Sequence, residues 1–248
     1  MSTSNKIAIA ITITLKNRRE IASALLNRYG TDYLFIGRMF KETTTDKNCQ
    51  ISISSILNDN LEHIKSIKRL RSKKQDKTLL SSTQNTNHSQ QIIYLTSTEV
   101  GYEACLTMAR FTQVFLNIGG VAVNIESAGV AHGLDKWRAN HNSDDVFDIY
   151  SLYVGLVEGE NNYYSCGMHN FGKADVSIDI TEDISLAIYV MNVFNYYRLT
   201  ESPILQDGHT FQPDIESPRY QMKLVEDEEY EINSLQHNYW GRWHLKRH

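Results

Sequence analysis

A mixed α/β fold, in the α+β sense of a sheet with helices packed on it, is predicted by three features of this 248-residue chain. Residues 6–15 alternate isoleucine with small or hydroxylated residues, the period-two signature of a strand. Apolar residues recur at helical spacing within 17–30, 101–120 and 181–199. Strand–helix–strand order occurs at the start of the chain and again from residue 91, which fits one mixed sheet or two related lobes.

Taken in order, "KIAIAITITL" (6–15) places Ile7, Ile9, Ile11 and Ile13 on one strand face. That run lacks the basic start and small-residue cleavage site of a secretory leader. No stretch of the chain approaches the ~18–20 apolar residues of a membrane-spanning helix. "NRREIASALLNRYG" follows as a helix with Ile21, Leu25 and Leu26 inward and Gly30 as its stop. "DYLFIGRMF" and "CQISISSI" each read as one strand.

Residues 58–74 have Leu61, Ile64, Ile67 and Leu70 at helical spacing, with Asn58 or Asp59 as cap. The last turns gather Lys65, Lys68, Arg69, Arg71, Lys73 and Lys74, which suit the negative end of the helix dipole. With no aromatic residues between the charges, a solvated helix end is expected over an RNA or phosphate patch. "DKTLLSSTQNTNHSQ" is polar, so the expected organisation is an α/β lobe over 1–75, a linker over 76–90 and a main α/β domain over 91–248. The two parts can also pack as one domain.

"QIIYLTS", "GYEACLTMARFTQVFLNIGG" and "VAVNIES" read as strand, helix and strand, the pattern of a parallel pair with a crossover. "DDVFDIYSLYVGLVEG", "NYYSCGMHNFG" and "ADVSIDI" read as a helical or extended segment leading into strands. "TEDISLAIYVMNVFNYYRL" is a helix with acidic residues in its first turn. Its apolar positions wrap most of the circumference, so burial is expected. All three prolines come after it, and the tail is expected to run as loops and edge strands.

A net charge of −4 provides no global basic field, so nucleic acid is not the expected partner. Cys49, Cys105 and Cys166 form no CxxC, and buried reduced thiols in a cytoplasmic protein are expected. No P-loop, dinucleotide-binding fingerprint, HExxH or GxSxG occurs, and neither a cofactor nor a metal site is expected.

The densest chemistry lies in "NIESAGVAHGLDKWRANH" (124–141). Glu126 ends a strand at a small-residue turn, the kind of place where α/β sheets bind ligands. Glu126 and His132 could act as an acid–base pair, with His169 from "CGMHNFGKAD" joining them and Trp137 and Arg138 as binding residues, the arginine for an anion. Equally, Glu126 can serve its own turn and Trp137 can fill the core. His209 in "DGHTF", and Trp240 and Arg242 in "HNYWGRWHL", are further binding candidates, the last pair through stacking or recognition of a carboxylate or phosphate.

"ESAGVAHGLDKW", "FGKAD", "HTF" and the closing "WGRWHL" together resemble an uncharacterised bacterial domain family, over roughly residues 90–246. The resemblance departs at the end, where "HNYWGRWHL" lacks the family's proline and has His244 in place of arginine. It implies no activity. It does suggest a cytoplasmic partner of a toxin, such as an immunity or antitoxin-like protein. A protein-binding module is thus the first expectation, supported by fourteen tyrosines. A hydrolase acting on an anionic or phosphorylated small substrate through Glu126, His132 and His169 is the alternative.

Overall fold

The computed structural model describes residues 5–55 and 91–248. The expected helix at 58–74, the basic cluster within 65–77 and the polar stretch 76–90 lie outside the described residues. The fold is α+β, with five helices and two sheets among the described residues.

The first sheet is antiparallel and has seven strands: β1 (Ile7–Ile13), β2 (Tyr33–Ile36), β3 (Met39–Glu42), β4 (Asn48–Ser55), β5 (Gln91–Ser97), β6 (Gly120–Ile125) and β7 (Val130–His132). Their spatial order is β2-β3-β4-β5-β1-β6-β7, so strands from both sides of residues 56–90 share one sheet. "DYLFIGRMF" is a hairpin and not one strand: Ile36 pairs with Met39 across a two-residue turn at Gly37 and Arg38. Folding it over stacks Phe40 against Tyr33, Phe111 and Phe115, which a single extended strand would not do.

Helix α1 (Arg18–Tyr29) follows β1 and is capped by Asn17, whose side chain accepts from the Glu20 N–H. Helix α2 (Tyr102–Leu116) links β5 to β6. The pattern predicts β5 and β6 as direct neighbours, yet β1 lies between them, antiparallel to both. All seven residues of β1 are buried, and this strongly apolar strand takes an interior place in the sheet, where both faces are covered.

Helices α3 (Leu134–Asn140) and α4 (Val146–Tyr153) lead into the second, mixed sheet. Its strands are β8 (Gly155–Glu158), β9 (Asn162–Cys166), β10 (Asp175–Asp179), β11 (Thr210–Phe211), β12 (Tyr220–Val225) and β13 (Arg242–Arg247). They run in the order β11-β12-β13-β10-β9-β8. The closing strand is therefore central: β13 runs parallel to β10 on one side and antiparallel to β12 on the other. Trp243 and Leu245 explain this, because their alternation faces the core built with Val176, Ile178 and Met222.

Helix α5 (Ile184–Thr200) covers that core with Ala187, Val190, Met191 and Phe194. Contrary to the pattern's expectation of burial all round, its outer face is open. The reason is topological: the helix packs against the sheet on one side, while α4 meets it along one flank, where the Tyr150 hydroxyl donates to Asn192 and accepts from Asn195 and the Phe147 ring lies beside Tyr196. Among the described residues no helix is long and apolar enough to cross a membrane.

Candidate functional site

Residues of "ESAGVAHGLDKW", "FGKAD" and "WGRWHL" meet in one place, a buried polar seam between the sheets. Its first side is the turn after β6, where Ser127 Oγ donates to Asn170 Oδ1 at 2.8 Å and accepts from the Ala8 N–H at 3.3 Å. Its second side is a 3-10 turn over Met168–Phe171, within the connection between the antiparallel strands β9 and β10. Gly167 opens that turn at φ +123°, and a Cβ there would lie 2.1 Å from the Tyr153 carbonyl oxygen. No other residue type fits so close to backbone.

The third side comes from the chain end. Asp175 is buried and accepts from Ser165 Oγ, the Met168 N–H and Asn238 Nδ2 at 2.8, 3.2 and 2.6 Å. Burial outweighs these donors and raises its pKa. Arg242, also buried, pairs with Asp227 at 2.5 Å and Glu229 at 3.2 Å, and its guanidinium lies 4.8 Å above the Tyr164 ring. Gly241 before it, at φ +75°, passes so close to Val225 that a Cβ would sit 2.3 Å from its carbonyl oxygen. Arg242 is thus a pin for the acidic run 226–231, which the sequence shows only as a row of like charges.

The histidines divide. His169 is fully buried, and neither ring nitrogen meets a partner in hydrogen-bond geometry. Burial lowers its pKa, with Asp175 and Asp227 pulling the other way. His237 Nδ1 donates to the Tyr230 carbonyl, 3.0 Å away, and stands 3.8 Å from Asp227. His132 belongs to a different neighbourhood: its Nε2 donates to the Leu152 carbonyl at 2.7 Å, and its ring packs 5.9 Å from that of Trp137. Burial pushes its pKa down to about 4, so the ring is neutral. His209 is exposed in the turn just before the edge strand β11.

The ladder also separates the proposed acid–base pair. His132 pairs with Val123, whereas Glu126 lies three residues further along, about 10 Å of strand. Glu126 accepts from Asn124 Nδ2 at 2.6 Å, and its carbonyl accepts from Gln236 Nε2 at 2.7 Å. Trp137 is fully buried, with Nε1 donating to the Ala109 carbonyl. Arg138 is exposed at the end of α3, and Trp240 is part-exposed beside the seam. Among the described residues no group of three histidines, cysteines or carboxylates is placed to share a metal ion. A small cleft of about 150 Å³ is lined by Asp179, Glu182, Tyr220 and Arg247, but Glu182 already accepts from both Tyr220 and Arg247.

What the motif reading missed is the outer face of α5. Ile184, Ile188 and Tyr196 follow one another at i, i+4 spacing through Asn192, and Tyr189 flanks them. Ile184 is 46 % exposed, Ile188 41 %, Tyr189 44 % and Tyr196 40 %. Phe147 of α4 extends the patch with its ring 6.3 Å from that of Tyr196. On the other flank the Tyr189 hydroxyl donates to Asp214 at 2.9 Å, which brings up the loop that carries Ile215, 94 % exposed. The all-round apolar pattern of this helix and its "NYY" triplet were the available signals.

The fold and the seam together define an α+β protein whose buried polar groups join two sheets. No family model, curated protein or solved structure matches the chain.

Proposed function

We propose that this is a protein-binding module, and that its docking surface is the apolar outer face of α5 with Phe147. The observation that carries this is the contrast between the two candidate regions. Ser127, Asn170, Asp175, Asn238 and Arg242 of the seam bond to one another or to neighbouring groups, while six large apolar side chains (Phe147, Ile184, Ile188, Tyr189, Tyr196 and Ile215) remain exposed in one area. At roughly 200 Å² per large side chain, about two-fifths exposure leaves some 500 Å² uncovered, at the upper end of what monomers tolerate. Tyrosine and isoleucine anchors of this kind are typical of binding hot spots.

In its finer form the reading is a cytoplasmic bacterial protein of the immunity or antitoxin type, which blocks a toxin by covering its surface. Such a role needs no catalytic constellation and accords with the motif resemblance. The hydrolase alternative gains no support from the neighbourhood of Glu126 and His132, whose separation and neutral, hydrogen-bonded imidazole fit structural roles.

The test is capture from the native host with wild type, Ile188→Glu and Tyr196→Glu. Both variants change exposed positions and are expected to unfold within about 0.5 kcal/mol of wild type. They are expected to lose the captured partner. Glu126→Gln and His132→Ala should bind in proportion to their folded fraction. Retention of the partner by both α5 variants would sink the assignment of the surface, and loss of a measurable hydrolysis in a well-folded Glu126→Gln would revive the enzyme.

A further inference from the structure

We infer that the partner docked on α5 is basic around its contact, an apolar ridge flanked by lysine or arginine, and is not a second copy of this chain. This rests on the proposed docking surface and adds the chemistry of its rim. The helix face is devoid of charge: from Ile184 to Thr200 the only charged residue is Arg198, which is buried and donates to the Ala174 carbonyl at 2.8 Å. The border is the reverse.

Three segments frame the patch: 141–153 around Phe147, 181–201 for the helix itself, and 212–218 beside Tyr189. They hold Asp144, Asp145, Asp148, Glu182, Asp183, Glu201, Asp214 and Glu216, against Arg198 as their one lysine or arginine. Glu182 turns away to Arg247. Asp145, Asp148, Asp183 and Asp214 accept from uncharged donors: Phe147 N–H, Ser143 Oγ, Leu186 N–H, and Ser217 with Tyr189. Those bonds orient the carboxylates without neutralising them. The three segments thus carry seven carboxylates not engaged with a cation, and the cations that border them are Arg110, which donates to Asn142, Lys136, which donates to the Ser151 carbonyl, and exposed Arg219, which follows the third segment, so the balance at the rim stays acidic.

The rim decides between occupants. In a two-fold dimer through this face the same patch would meet itself, setting carboxylates against carboxylates. Like charges juxtaposed across an interface work against association, whereas a complementary basic rim steers encounter and fixes register.

The test uses the full chain and two synthetic helical peptides with one identical leucine stripe, flanked by lysines in one and glutamates in the other. Binding is read by fluorescence anisotropy at 50 and 300 mM NaCl, and self-association by sedimentation. The lysine peptide is expected to bind at least tenfold more tightly, with the preference shrinking at high salt as screening shortens the range of the rim. Ile188→Glu should abolish binding, and the Asp144→Asn, Glu201→Gln, Glu216→Gln triple variant should lose the preference while keeping the apolar contact. Equal affinity for both peptides, lost in Ile188→Glu, would overturn the basic partner and leave the docking surface standing. A dimer dissociated by Ile188→Glu would overturn it in favour of a second copy. Binding of neither peptide, with capture unchanged in Ile188→Glu, would overturn both readings.

Discussion

Asn238 donates from one side-chain amide to Asp175 Oδ2 at 2.6 Å and to the Lys173 carbonyl at 3.0 Å, so a single residue of the last loop ties down the start of β10. Its backbone N–H donates in turn to Asp227 at 2.9 Å, which reaches Arg242. Asn238→Ala is expected to destabilise the protein by about 2–4 kcal/mol, because Asp175 keeps its burial and loses a donor. Asn238→Asp should cost more at neutral pH, where two carboxylates meet, and recover part of the loss on acidification. Urea unfolding at pH 7.5 and pH 5 measures both.

His132 predicts an acid limb of stability. Its folded pKa is about 4 against an ordinary 6.5, so the unfolded state binds the proton first. The contribution is therefore fully present above pH 6.5 and is lost as pH falls through the window to 4, to the extent of about 3 kcal/mol. His169, also lowered, acts in the same direction. In His132→Gln, which can still donate to the Leu152 carbonyl, the slope of stability against pH over that window should flatten. An unchanged slope would contradict the neutral, buried ring.

Gly167→Ala and Gly241→Ala should each be severe, at about 3 kcal/mol or more, since a new methyl group meets backbone oxygen at an unfavourable φ. Both positions bound the polar seam, so a drop in melting temperature is expected together with loss of near-ultraviolet circular dichroism from its aromatic neighbours.

All three cysteines are free and buried. Burial pushes the Cys49 thiol up to about 12 and raises Cys105 and Cys166 as well. A thiol reagent at pH 8 should label none of them within minutes in the native protein and all three in guanidinium, because the thiolate is the reacting species. Rapid native labelling of any one would show an open site.

Local pattern carried much of the fold. The alternation in 7–13 and the Gly30 stop of α1 are legible because they depend on neighbours in sequence, whereas the acidic residues expected in the first turn of α5 precede it, Asp183 being its cap. The hairpin inside "DYLFIGRMF" was less so, since it depends on Phe40 finding aromatic partners seventy residues away. The same holds for the site: Ser127, His169, Asp175, Asn238 and Arg242 belong to separate turns and strands, and their meeting follows from β13 entering beside β10.

By itself, then, the chain determined an α+β composition of strands and amphipathic helices and the positions of most elements, because side-chain periodicity within a strand or helix is a local matter. Only the tertiary structure decided that β1 would part β5 from β6, that Glu126 and His132 would stand apart, and that one face of α5 would remain uncovered. Those outcomes depend on which surfaces compete for burial, and that competition is settled between elements distant in sequence.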